Sequence, residues 1–129
     1  DKKCLFIIEA AALTHDIGIH FCEEKYGNCN GKLQEQEGPA IAERLLEKLG
    51  FEKDISERVQ YLIAHHHTYN NINEIDYQIL VEADFLVNIM EDGLSKEAAL
   101  KAYHNIFKTV CGKTICGEMF DIDIKYENF

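Results

Sequence analysis

Apolar residues in this chain recur at intervals of three and four, with no sustained two-residue alternation, which predicts helices rather than a sheet. From Cys4 to Leu13 the chain is apolar nearly all round, a pattern that fits a buried helix or a buried strand. The run Ala10-Ala11-Ala12 favours the helix. Between Gly18 and Gly31 the period is lost among Gly27, Asn28 and Asn30, predicting a long loop of the kind that often carries function in compact domains. Gly38-Pro39 then places a proline in the first turn of a helix with an apolar stripe of Ile41, Ala42, Leu45, Leu46 and Leu49, stopped by Gly50.

Asp54 and Glu57 have the spacing of a capping box, and Ile55, Val59, Leu62 and Ile63 trace the inner face of the helix that follows. Three and four residues on, that stripe reaches His66 and His67. A third helix is predicted from about Glu74 to Met90, with Ile79, Leu80, Ala83, Leu86, Val87 and Met90 inward and Asp84 among them. A fourth starts near Ser95 and carries Ala99, Tyr103, Ile106, Phe107 and Val110, while Cys111 to Phe129 shows no clear period. The expected fold class is all-α, a helical bundle, and the 129-residue length suits a single domain over 1–129. There is no internal repeat and no low-complexity stretch.

A content of 47% apolar and 28% charged residues is that of a globular protein. No unbroken apolar run approaches the roughly 18 residues that cross a bilayer, and no secretory signal is evident, so no membrane partner is expected. Thirteen Lys plus Arg against 23 Asp plus Glu give a formal charge of -10, and the lysines form no dense patch. That balance disfavours a long nucleic acid as partner and still admits a small phosphorylated molecule. Cysteines at 4, 22, 29, 111 and 116 are odd in number and form no C-x-x-C pair, which points to reduced thiols and a cytoplasmic location.

Three places interrupt apolar helical faces with metal-ligating residue types: His15-Asp16, the run His65-His66-His67, and Asp84. A carboxylate on a core face costs several kcal/mol unless it is paired or bound to a cation. Asp84 therefore needs a partner, either Arg44 or Arg58 in a buried ion pair, or a divalent metal. Imidazole nitrogens with carboxylate oxygens suit Mn, Fe, Co, Ni or Zn, with Mg admissible, as one or two ions. His65 lies off the stripe and fits a helix end, where an imidazolium meets the negative pole of the dipole. His20 and His104 read as ordinary hydrogen-bonded histidines.

The segment Ala11-Ala12-Leu13-Thr14-His15-Asp16-Ile17-Gly18 resembles the hallmark of the HD-domain metal-dependent phosphohydrolases. His66-His67 and Ala83-Asp84 follow in that family's order, so the resemblance covers about Leu5 to Phe107. It implies a hydrolase acting on a phosphomonoester or phosphodiester, with a nucleotide among the candidates, and with His15, Asp16 and Asp84 as metal ligands. Such a metal would bind a phosphate oxygen and lower the pKa of its water to yield the attacking hydroxide. His66 and His67 would bind a second metal or stabilise phosphoryl charge. Two departures stand out. The family's upstream His has no counterpart before His15, so either the chain is truncated at Asp1 and lacks all or part of its N-terminal helix, the favoured reading, or that ligand is absent. Where another His commonly precedes a Gly-Ala helix start, this chain reads Gln34-Glu35-Gln36-Glu37-Gly38-Pro39, so either Glu35 substitutes as a ligand or the second metal is missing. Lys32 is a candidate phosphate contact or a solvated lysine. Two rival readings are a di-iron HD-type oxygenase and a degenerate, non-catalytic ligand-binding or interaction module. A homo-oligomer is compatible with all of them.

Overall fold

The computed structural model describes residues 1–122, and they are all-α: α1 Lys2–Thr14, α2 Ile19–Tyr26, α3 Gly31–Lys48, α4 Lys53–His65, α5 Ile75–Asp92, α6 Lys96–Asn105 and α7 Val110–Phe120. They pack as two compact units, Asp1–Leu80 and Val81–Phe129, with the boundary inside α5.

In the first unit α4 is the central element. Its stripe of Ile55, Val59, Leu62 and Ile63 is buried as the periodicity predicts, and Val59, Leu62 and Ile63 are fully enclosed. Each contributes roughly 1.5–3 kcal/mol relative to an exposed side chain. α1 lies parallel to α4. Lys3 pairs with Asp54 near the starts of the two helices, and His15 meets His66 edge-on near their ends at the same offset of 51 residues. Only one face of α1 is covered, with Ile7, Ala10, Ala11 and Thr14 buried, while Leu5, Phe6 and Leu13 remain exposed, against the all-round burial suggested by composition. By length and composition alone the stretch Lys2–Tyr26 could cross a membrane, and 28% of its apolar window is buried. A turn at His15–Gly18 divides that stretch into two helices.

Two predicted boundaries differ. The loop expected from Gly18 to Gly31 contains α2, which closes on a left-handed Gly27 and has Cys22 as its buried residue, too small an apolar signal to register as a period. α3 begins at Gly31, eight residues before Pro39, because the Asn30 side chain caps it by accepting from the Leu33 N–H. Pro39 lies inside that helix, and Gly38 permits close approach of α4, since a Cβ there would come within 2.7 Å of Ile63 Cγ2. Gly50 ends α3 as predicted, with a φ of 83° and the Phe51 N–H donating to the Leu46 carbonyl at 3.0 Å. The capping box at Asp54 does not form: Glu52 is the N-cap of α4, and Asp54 sits in the first turn as the partner of Lys3.

In the second unit Ala102, Tyr103, Phe107 and Cys116 form the core, with Phe85, Leu86, Ile106, Phe120 and Ile122 packed around it. α6 starts beside Ser95 as predicted, with Ser95 as its N-cap, but the helix ends at Asn105. Val110 begins α7 and is exposed. On α5, Ala83, Val87 and Met90 point to solvent, contrary to the inward stripe expected of them, and Glu82 and Ile89 are buried instead. Glu82 is saturated within its unit, accepting from the Lys108 and Thr109 N–H groups, each at 3.1 Å, and from the Thr109 hydroxyl at 2.7 Å. The stretch from Cys111, which shows no clear period in the sequence, is helical to Phe120, and residues 123–129 lie outside the described part.

Candidate metal centre

The parallel packing of α1 and α4 brings the C-terminal ends of both helices together within the first unit. His15 caps α1, Asp16 follows in the turn, and His66 caps α4 with His67 beyond it. Asp16, His66 and His67 can each present one ligating atom, all within 4.8 Å of one another. His66 is fully buried and His67 half-buried, whereas the Asp16 side chain is half-exposed. Solvent therefore reaches the group from the aspartate side.

Hydrogen bonding sets the imidazole tautomers. His15 Nδ1 lies 2.8 Å from the Ala12 carbonyl, and His66 Nδ1 lies 2.6 Å from the Ile63 carbonyl. A carbonyl only accepts, so both Nδ1 atoms carry the proton and each neutral ring directs its lone pair from Nε2. Those Nε2 atoms face Asp16, His15 Nε2 at 3.3 Å from Oδ2 and His66 Nε2 at 3.9 Å from Oδ1. Neutral imidazole lone pairs and a carboxylate repel one another. The arrangement is favourable with a proton on the ring or a cation among the three groups, and the Nδ1-to-carbonyl bond is how metal-binding histidines are commonly oriented. The donor set of imidazole nitrogens and carboxylate oxygens thus fits a divalent transition metal.

The segment carrying His66 and His67 is held from two sides. Glu35 Oε2, on α3, accepts from the His67 N–H at 3.1 Å and from the Thr68 hydroxyl at 2.8 Å. Tyr77, at the start of α5 and nearly fully buried, directs its hydroxyl at the carbonyls of His65, at 2.8 Å, and Thr68. Burial pushes the Tyr77 phenol up to about 12, so it stays a donor at physiological pH. The Gln34 amide nitrogen donates to the Cys29 carbonyl at 2.6 Å, leaving its oxygen to accept from His67 Nε2 at 3.3 Å. His67 accordingly keeps its lone pair on Nδ1. A Cβ on Gly31 would come 2.8 Å from His67 Cγ, so glycine is what lets the start of α3 abut this ring.

Of the residues singled out in the sequence, the fold brings His15, Asp16, His66 and His67 together and places Glu35 behind His67. Lys32 is exposed in the first turn of α3. Asp84 lies half-buried on α5 in the second unit. Arg58, one of its two proposed partners, spends its guanidinium on Asp76, at 2.7 and 2.9 Å, and on Asn73, while Arg44 is exposed. The hydrogen bond from Arg58 holds the Asp76 carboxyl below the usual carboxylate range. His65 stacks on Tyr61 and bonds the Tyr61 carbonyl, and His20 forms an exposed pair with Glu24. Gln34, Thr68 and Tyr77 escaped the sequence reading, since nothing in their spacing marks them. All five cysteines are unpaired thiols. No family model, no curated protein and no solved structure matches this chain.

Proposed function

We propose that the protein is a metal-dependent phosphohydrolase acting on a small phosphomonoester or phosphodiester, with His15, Asp16, His66 and His67 around the metal. The observation that carries this reading is the pair of imidazole Nε2 atoms turned onto one carboxylate, 3.3 and 3.9 Å from its two oxygens. The resemblance of Ala11–Gly18 to the HD-domain hallmark supplies the reaction class and adds Asp84 as a further ligand. Bound there, a divalent ion supplies Lewis acidity toward a phosphate oxygen and a water of lowered pKa. Buried His66 gives the site its fixed nitrogen, and half-exposed Asp16 is the side from which solvent reaches it. Lys32, exposed on α3, offers a positive charge to the phosphate.

The test is hydrolysis of p-nitrophenyl phosphate and bis-p-nitrophenyl phosphate by the full chain supplied in turn with Mn, Fe, Co, Ni, Zn and Mg. Hydrolysis that needs metal and falls by two orders of magnitude or more in Asp16→Ala and Asp84→Ala is the expected result. Absence of hydrolysis with every ion, or equal activity in Asp16→Ala, would overturn the reading.

A further inference from the structure

We infer that Glu35 is a positioning residue that sets His67 for metal binding, and that it is not itself a ligand; this rests on the metal reading above. One carboxylate oxygen offers about two lone-pair sites. On Glu35 Oε2 both are engaged, by the His67 N–H at 3.1 Å and the Thr68 hydroxyl at 2.8 Å. Among the described residues no group of clustered ligating atoms that contains Asp16 includes Glu35. Glu35 therefore acts on the backbone behind the ligand.

The segment needs this support because it lies past the end of a helix. α4 ends at His65, so His67 lies past the helix and its N–H turns to Glu35 rather than to a carbonyl of α4. The Thr68 N–H returns to the His65 carbonyl at 2.8 Å, closing a tight turn. Glu35 holds that turn by its donors, and Tyr77 holds it by the carbonyls of His65 and Thr68. The neighbouring Gln34 fixes the tautomer of the His67 ring. Adjacent residues on α3 thus set the backbone and the ring of one histidine, a division of labour common behind metal-binding histidines. A ligand role through its other oxygen, Oε1, would require the side chain to move, since among the described residues Glu35 is outside the clustered ligating atoms.

The experiment compares Co2+ binding by wild type, Glu35→Gln and Glu35→Ala, read from the visible d–d spectrum and by titration calorimetry, with thermal melting of each metal-free protein recorded alongside. A glutamine oxygen can still accept from the His67 N–H and the Thr68 hydroxyl, whereas alanine removes the acceptor. The expected result is a 10–100-fold loss of Co2+ affinity in Glu35→Ala, recovered to within about threefold, with a wild-type spectrum, in Glu35→Gln. A purely structural role would lower the melting temperature and leave Co2+ affinity of the folded protein unchanged. Unchanged affinity in Glu35→Ala, or a loss in Glu35→Gln as large as in Glu35→Ala, would overturn the inference while leaving the metal site standing. Absence of Co2+ binding by the wild type would overturn the underlying reading and the inference with it.

Discussion

Each unit of the molecule contains a conspicuous carboxylate in polar surroundings, and the two are treated differently. In the second unit Glu82 is 3% exposed and meets three donors, two N–H groups and a hydroxyl, at ordinary hydrogen-bond lengths. In the first unit the Asp16 side chain is 50% exposed and faces the Nε2 atoms of two imidazoles whose Nδ1 atoms are turned to carbonyls. The first arrangement is complete as protein, since every donor meets an acceptor. The second sets acceptor against acceptor and becomes favourable when a proton or a cation joins it. Saturation of a polar group with protein donors fits a structural role, and convergence of lone pairs is what the proposed binding role requires.

The sharpest way to break this contrast is Glu82→Ala. It removes the common acceptor of Lys108 and Thr109 at the start of α7, and the expected loss is about 3 kcal/mol of unfolding free energy by urea titration. A loss below about 0.5 kcal/mol would deny Glu82 its structural role.

Asp76 gives a second saturated carboxylate, this one inside the first unit. Arg58 lowers its pKa in the folded protein, so its contribution is present above the unfolded value near 3.9 and fades as pH falls through the folded one. Asp76→Asn should therefore be less stable than wild type by about 2 kcal/mol at pH 7, with the gap closing below about pH 4. Urea titrations at pH 3, 5 and 7 measure it, and a gap independent of pH would contradict the assignment.

Asp16→Ala should change the stability of the metal-free protein least, by no more than about 0.5 kcal/mol, because the side chain is half-exposed and its neighbours are not donors to it when neutral. The same variant should lose the metal-induced stabilisation expected of wild type, a rise in melting temperature on adding Mn2+ or Co2+ that EDTA should reverse. A large destabilisation without metal would make Asp16 another structural carboxylate.

The parts legible in the sequence are those written in large aliphatic side chains. Ile55, Val59, Leu62 and Ile63 pointed directly to α4 and, by extension, to His66. What escaped rests on small or polar burial. α2 is anchored by Cys22, and the first half of α3 buries Gln34 under a run of charged and amide residues that carries no apolar period. Val87 and Met90 misled in the opposite sense, being apolar residues left in solvent. At the site, residue chemistry nominated His15, Asp16, His66 and His67, but the roles of Gln34, Glu35 and Tyr77 depend on bonds between elements distant in sequence. Glu35 was visible as a carboxylate in a suggestive place, but its bonds to the His67 N–H and the Thr68 hydroxyl join residues more than thirty positions apart.

The most direct test of the central claim is anomalous diffraction from crystals of the full chain grown with Mn2+ or Co2+. The account predicts an anomalous peak about 2.0–2.3 Å from His66 Nε2 and an Asp16 carboxylate oxygen, absent from crystals of Asp16→Ala. An ordered His15–His67 cluster without a peak, or metal bound only elsewhere on the molecule, would contradict it.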